Sequence, residues 1–576
     1  MAEDGRGEEK AVDVVAVKKP KQGGFRTMPF ILANDFCDRL ANVGFSSNLI
    51  TYLTLQLHLP LVDASNTLTN FHGTANLTPL VGGLIADSFA GRFWTITFGS
   101  VIYQLGMRAS SSQIAVLYAS LLFTSIGTGG TRPCVMAFGA DQLELDAGAR
   151  GRRRGRKGPK WSFFNLYFFG IELAKLTAVT VIVYIQENVG WGWGLGVPTI
   201  AMFAAVIAFV SGYSMYVKMP PAGSPLVRLA QVAAAAFKKR KAVMPEPSRL
   251  YEDKVLDARI STTGRLLHTD QLKFFDKAAI VTDGDVLPSG EPKLWRLSTV
   301  HRVEELKSIL RMLPIWAAGI LLVTSASHNS SFAIQQARTM DRDITPHFKI
   351  PPASMLIFTN LAMLLTLAFY DRVLVRVLRR FTGHPSGITH LQRAGVGMTI
   401  AMLANAVAAV VESRRKSVAA ASGMLDAPKG SALPISVFWL VPQYAIHGVA
   451  DAFMDVGRME FLYDQAPESM RSTAAALYWL TMSIGSYLGT LLVTIIHAKT
   501  QRSGQWLQDN LNRAKLDSYY WLVFGLQGLN LIYYFVCVRY YTFKPLETVK
   551  PEEELELELY RGNGNEDDGK KGGILK

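Results

Sequence analysis

The run ILANDFCDRLANVGFSSNLITYL at residues 31–53 decides the fold. A helix crosses about 30 Å of hydrocarbon with roughly 20 residues, and this run is long and apolar enough to do so while carrying Asp35, Asp38 and Arg39. An ionisable residue at mid-membrane costs about 2.5–3.5 kcal/mol on insertion scales, so three on one span mark a candidate site. They stand at i, i+3 and i+4 and share one helix face. Two acids and a base within reach of one another can exchange protons and partners, which is the chemistry of proton coupling. The same spacing also fits a salt bridge at a helix end.

The rest of the chain has the same character. Of 576 residues, 49% are hydrophobic and 18% charged, against about 25% charged in soluble chains. A soluble enzyme is excluded. Twelve stretches are long enough to span: 29–57, 66–88, 91–107, 113–141, 162–186 and 196–218, then 306–327, 352–375, 391–412, 434–463, 472–497 and 519–541. Helices satisfy every backbone group within the segment, so the expected fold is an all-α membrane protein of twelve transmembrane helices in two six-helix bundles. The expected divisions are an N-terminal tail (1–27), a first bundle (28–218), a linker (219–305), a second bundle (306–541) and an acidic tail (542–576). Within the linker, Leu226, Leu229, Val232, Ala233, Ala236 and Phe237 recur at helical spacing before Lys238–Lys241. That pattern fits a helix lying on an anionic leaflet or a solvated tether.

The net charge of +14 collects in short polar stretches, as in cytoplasmic loops rather than a nucleic-acid surface. The Arg-rich loop at 143–160, the linker and Arg372–Arg380 place both termini in the cytoplasm. Arg414, Arg415 and Lys416 then stand outside as an exception. The first 27 residues have no apolar signal-peptide core and are acidic for a transit peptide. The plasma membrane is the first expectation, ahead of vacuole or plastid envelope. The three cysteines are far apart and form no framework.

Further charges fall inside the spans. Arg132 follows the small-residue run Gly127–Gly130, which allows close helix approach. Asp451, Asp455, Arg458 and Glu460 share the tenth span. Arg132 and Asp451 pair as an inter-bundle gate or anion contact, or else statically within one bundle. Glu172 and Lys175 are spaced to neutralise each other. His328, beside Asn329, Ser330 and Ser331, either lines a cavity or packs. Tyr52, Tyr444 and Trp479 are cavity candidates among aromatics that belts and packing also explain. No GxxxxGK[ST], HExxH or GxSxG motif occurs, which leaves secondary transport driven by an ion gradient, with no metal, no cofactor and no enzymatic step.

GGLIADSFAGRFWTI at 82–96 resembles the loop between the second and third spans of the major facilitator superfamily. RMLPIWAAGI (311–320), QARTMDR (336–342), IPPASM (350–355) and the stretch from PQYAIHGVADAF to YDQAPESMRS (442–472) are similar to the plant nitrate and peptide transporter family, a branch of the proton-coupled oligopeptide transporters. Residues 31–53 and SNTLTNFHGT (65–74) most resemble its nitrite, nitrate and gibberellin subgroup. The resemblance implies a proton-coupled symporter of small anions in a lipid bilayer, with di- and tripeptide transport or a transport-inactive sensor or scaffold as alternatives. It also implies that Asp35, Asp38 and Arg39 stand for an E-x-x-E-R proton motif, both glutamates shortened. Arg132 stands where Lys is common, with Asp451 as its acidic partner. The family's nitrate histidine falls nearest Ala326, not His328, so a nitrate site built on it is not supported. Glu172 and Lys175 replace an Asn and a small residue. The third span runs short, with ASSSQ at 109–113 leading straight into the fourth. Arg92-x-x-Thr95 resembles a basic kinase site and suggests a regulatory phosphate on Thr95.

Overall fold

The computed structural model describes residues 25–85, 91–108, 118–131, 134, 135, 138, 142, 163–216, 225–543 and 546–548, with breaks at 245, 247, 248, 254, 255, 258–263, 289–291, 347, 384–386, 427–430, 468–470 and 502–505. The expectations for Arg132, the basic loop at 143–160, residues 1–24 and the tail beyond 548 fall outside the described residues.

The first half contains α1 (Met28–Leu55), α2 (Leu61–Ile85), α3 (Gly91–Arg108), α4 (118–131), α5 (Phe163–Thr177) and α6 (Trp191–Ser211). A π-helical turn, Ala178–Ile182, carries α5 on into Val183–Asn188. After the linker helix α7 (Pro225–Lys238), the second half contains α8 (Val300–Ala326), the short α9 (Asn329–Arg338), α10 (Leu356–Phe369), α11 (His390–Ala421), α12 (Val441–Gln465), α13 (Arg471–Thr500) and α14 (Leu516–Arg539). A second π-helical turn, Tyr370–Leu374, extends α10 to Thr382.

Among the described residues, and leaving out α7 and α9, twelve helices overlap the twelve expected spans. Six described stretches are both long and apolar enough to cross a membrane: Trp191–Ser214, Val300–Arg338, Pro352–Thr382, His390–Ala421, Leu477–Thr500 and Leu516–Arg539. At 28 residues α1 has the length. Its polar positions, Asn34, Asp35, Asp38, Asn42 and Asn48, are buried against protein.

Glycines set the closest helix contacts. A Cβ on Gly99 of α3 would stand 2.8 Å from the Cα of Gly130, and one on Gly129 would stand 2.6 Å from the Thr78 backbone of α2. The glycine run therefore packs α4 against both neighbours at backbone distance, as small-residue interfaces do. In the second half, Gly457 on α12 would place a Cβ 2.8 Å from the backbone nitrogen of Ala394 on α11.

The two halves meet along α2 and α13, and α5 touches α10. Asn66 donates to Thr494 at 3.2 Å, Thr490 donates to Asn70 at 2.9 Å, and the Thr74 and Tyr487 hydroxyls lie 2.7 Å apart. Arg338 Nη1 donates to Thr54 Oγ1 at 3.3 Å, and the Leu61 amide donates to Asp509 at 2.7 Å. These bonds collect toward the end of the bundle away from the linker and form a polar seam.

The linker departs from expectation. Val232, Ala235 and Ala236 of α7 are buried against Leu250, Ala278, Ala279, Val300, Val303 and Leu306. The middle of the apolar face thus covers the base of α8, while Phe237 at its end stays exposed. Lys239, from the basic run, is itself buried and donates to Asp285 at 2.6 Å. The helix of the second half begins at Val300 rather than 306, capped by Thr299, whose hydroxyl accepts from the Arg302 amide. The C-terminal tail is partly ordered, because Leu546–Thr548 pairs antiparallel with Gly264–Leu266.

Gly129→Val is expected to lower the yield and melting temperature of the folded protein, since overpacking typically costs about 1–3 kcal/mol. Gly170→Ala, where no atom approaches within 4 Å, is the silent control. At Asp285 burial raises the carboxyl pKa, but the hydrogen bonds from Lys239 and Thr282 more than offset it and leave the group below its ordinary value. Such a group contributes stability above its unfolded value of about 3.9, and that contribution is lost as pH falls through the lower folded value. Limited proteolysis of the linker is expected to hold constant from neutral pH and to increase below about pH 4. Asp285→Asn should make the linker more susceptible at neutral pH.

Candidate functional site

In α1, Asp35 and Arg39 form the i, i+4 pair that the spacing implies, with Nε 3.8 Å from Oδ1. Asp35 is 4% exposed and Asp38 1%. The two acids are buried against protein about two turns into α1 rather than exposed to water.

The second half supplies a matching group on α12. Arg458 Nη2 donates to Asp455 Oδ1 at 2.6 Å, and its guanidinium lies 5.6 Å from the Tyr478 ring of α13. Gly319 of α8 makes room for it, since a Cβ there would come within 3.1 Å of Nη1. Arg458 Nε and Nη1 are buried with no hydrogen-bond partner among the described residues. Asp451, one turn before Asp455, lies within electrostatic reach of Asp455, Arg458 and, from the opposite half, Lys175. Lys175 in turn donates to Glu172 at 2.8 Å, as their spacing implies. Among the described residues, Lys175 is the cation of the first half whose charge bears on Asp451, without an ion pair between them. Sequence reasoning treated Glu172 and Lys175 as a closed local pair and missed this. The available signal was that α5 and α12 both carry an acid and a base three residues apart.

With this geometry established, comparison with known proteins identifies the family. The model of the POT family matches residues 93–510. The chain belongs to the POT family. It is 53% identical to Protein NRT1/ PTR FAMILY 3.1 of Arabidopsis thaliana, over 93% of this chain and 94% of that one. It is 39% identical to Protein NRT1/ PTR FAMILY 8.3 of the same plant, over 91% and 92%. Among solved structures, an auto-inhibited POT family peptide transporter superposes with a TM-score of 0.66 at 21% identity, covering 91% of this chain and 99% of that one. The POT family transporter PepTSo gives 0.64 at 21%, with the same coverage. These two share the fold, and the plant relatives place the chain in the NRT1/PTR group of the POT family.

Against this POT framework several expected residues take structural places. His328 is fully buried between α8 and α9. Its Nδ1 lies 2.9 Å from the Ser327 hydroxyl and its Nε2 3.0 Å from Asn66 Oδ1 of the first half. It belongs to the seam, with both ring nitrogens within hydrogen-bond distance of a partner. Tyr52 packs edge-on to Trp191 at 4.9 Å, and Trp479 meets Tyr478 at 5.4 Å. Tyr444 is buried with its hydroxyl unpartnered among the described residues. Glu460 is bound to α11 through Arg393 at 3.3 Å and His390 at 3.1 Å. Thr95 is buried, and its hydroxyl donates to the Gly91 carbonyl at 2.9 Å. A hydroxyl so placed caps its own turn and is closed to a kinase.

The exception at Arg414–Lys416 also resolves. Helix α11 runs on to Ala421, past the expected 412. Arg415 is fully buried, donating to Glu412 at 2.7 Å, to Asn512 at 2.7 Å and to the Leu511 carbonyl at 2.8 Å. Lys416 pairs with Asp517 at 3.0 Å. Counting loop charge treats these as free, whereas two of the three are neutralised by protein. Arg415→Met should leave Glu412 buried and unpaired and cost about 3–5 kcal/mol, while the double change with Glu412→Gln restores much of the loss. Thermal denaturation of the purified protein measures both.

Proposed function

We propose that this POT-family chain is a proton-coupled symporter of small anions, namely nitrate, nitrite or a carboxylate hormone of the gibberellin type. Access alternates as the two halves rock about a midplane site. The observation that carries the reading is a pair of ionic groups on helices of opposite halves: the buried acids Asp35 and Asp38 with the half-buried Arg39 on α1, and the half-buried Asp451, Asp455 and Arg458 on α12. The first has the two acids and one base needed to take and release a proton. In the second, Arg458 keeps two buried donors without an acceptor, and buried donors ordinarily find one. An anionic substrate would supply it.

The polar seam joins the two halves toward the end away from the linker, which supports an inward-facing carrier with cytoplasmic termini in the plasma membrane. Two solved neighbours of this fold, a POT family peptide transporter and a POT family transporter in complex with 5-aminolevulinic acid, support a second reading. Di- and tripeptides are therefore the second substrate class. The short stretch between the third and fourth spans in the sequence, ASSSQ at 109–113, supports a transport-inactive relative as the outcome if no substrate moves.

Uptake into oocytes at acidic and neutral external pH tests the reading, with nitrate, nitrite, gibberellins and dipeptides as probes. Acid-stimulated accumulation of an anion is expected. Asp38→Asn should abolish the stimulation, and Arg458→Gln should raise the KM about tenfold to a hundredfold, the equivalent of one charge-assisted hydrogen bond. Stimulation unchanged in Asp38→Asn would remove α1 from the coupling. Surface-expressed protein that accumulates none of the probes would favour the inactive relative.

A further inference from the structure

Helix α10 lies at the edge of the second half, with no residue of Leu356–Phe369 fully buried. Its exposed side chains form a row, Leu361, Leu365, Phe369, Val373, Val377 and Phe381, whose four-residue spacing runs unbroken through the π-helical turn. Residues four apart are neighbours on one helix face. A second exposed row runs beside the first, one residue earlier at each step: Arg372, Arg376 and Arg380, with Arg379 next to the last. Tyr370 fixes the rotation of the helix. It is buried, meets the Phe453 ring of α12 edge-on at 5.5 Å, and lies 4.1 Å below the Arg393 guanidinium of α11. The returning chain covers a further side, since a Cβ on Gly387 would stand 3.2 Å from the Val375 Cα. The arginines and the apolar row are left facing outward.

Among the described residues, no acid stands within ion-pair distance of Arg372, Arg376, Arg379 or Arg380. Elsewhere Arg39, Arg311, Arg393, Arg415 and Arg458 each have a carboxylate partner. Asp371, itself exposed, is the acid of this stretch. The depth of the row also matters. From Leu356 to Thr382 the helix has 27 residues, 14 before the π turn, 5 in it and 8 after, and rises about 40 Å. That is about 10 Å more than the hydrocarbon layer is thick. Leu356–Phe369 carries no charge, so the surplus falls at the arginine end. This is the linker end of the molecule, because Leu391 at the start of α11 belongs to the apolar cluster on which Leu229 of α7 packs. Phe381, 83% exposed, stands there at the interface, where aromatic rings are favoured.

We propose that the row Arg372, Arg376, Arg379 and Arg380 binds the phosphate of anionic phospholipids in the leaflet on the linker side. A guanidinium presents a planar fork of donors that pairs with phosphate oxygens bidentately, and basic clusters just beyond a membrane span attract acidic headgroups. Arg372, the deepest of the four, reaches the headgroup layer by extending its side chain along the helix. The acyl chains of the same lipid lie along Phe369 and Val373. A soluble phosphate would satisfy the arginines but leave that apolar row uncovered, so a lipid is the ligand that matches both rows. The inference adds a lipid to the partners of this chain and does not depend on what the chain transports.

Native mass spectrometry of the full-length protein in neutral detergent, offered equal amounts of phosphatidylglycerol and phosphatidylcholine, tests it by counting the lipid retained. The wild type is expected to prefer phosphatidylglycerol by about tenfold, the equivalent of one charge-assisted hydrogen bond. Arg376→Gln combined with Arg380→Gln should bring the two lipids to parity. Arg376→Lys combined with Arg380→Lys should keep part of the preference, because Lys retains the charge without the fork. Lys241→Gln combined with Arg249→Gln removes the same charge from the exposed linker surface and should leave the preference intact. Inorganic phosphate in excess should not displace the lipid. Parity in the wild type, a full preference in the Arg376→Gln, Arg380→Gln protein, or an equal loss in the linker control overturns the proposal. Displacement by inorganic phosphate overturns it too, by making a soluble anion the ligand.

Discussion

The constraint on which the rest of this structure depends is that a charge inside the apolar layer must find its counter-charge within the protein. Taking an ion out of water costs several kcal/mol even after relaxation, and only a near partner with good geometry offsets it. Asp35 with Arg39, Glu172 with Lys175, Glu412 with Arg415 and Asp455 with Arg458 all satisfy this one helix turn apart. Pairing along one helix lets each helix enter the membrane already neutralised. It also leaves each pair able to exchange partners once another helix brings a third charge close.

The same constraint separates static from movable groups. The Glu412–Arg415 pair is locked by Asn512, Thr339 and a backbone carbonyl, and all of its partners belong to the second half. It fixes the ends of α11 and α14 and has no room to exchange. The α12 cluster has buried donors to spare and looks across to the other half. The polar seam lies between these extremes. Its bonds are neutral pairs such as Asn66 with Thr494 and Thr74 with Tyr487, each worth about 0.5–1.5 kcal/mol net, so they hold the two halves together without fixing them.

Helix number and the two-bundle plan were legible in the sequence because hydrophobic length is a one-dimensional property. So were the local ion pairs, since i, i+3 and i, i+4 spacing fixes which side chains can meet on one helix. What depends on a second element was not legible. The apolar face of α7 looks the same whether lipid or the base of α8 covers it, and only Lys239 turning inward to Asp285 separates the two. His328 beside a serine pair suggested a cavity, because nothing local reveals that Asn66 arrives from the other half. Arg414–Lys416 misled the charge count for the same reason, their partners being Glu412 on the helix's own continuation and Asp517 far along the chain. Only part of the intramembrane charge set could be placed, because Arg132 lies outside the described residues.

The strand pair between Leu546–Thr548 and Gly264–Leu266 has a mechanical corollary. The Leu266 amide donates to His301 Nδ1 at the start of α8, and Lys307 of α8 bonds Asp276 in the linker at 2.7 Å. The linker is thereby fastened to the second half at both the beginning and the end of that half's chain. The two halves are unequal in mass, since the second carries the linker. The order of synthesis follows too. Residues 264–266 emerge before any helix of the second half, yet their partner strand is among the last parts of the chain to be made. The linker cannot finish folding until the last helix is in place, so its completion registers that the whole carrier has been assembled.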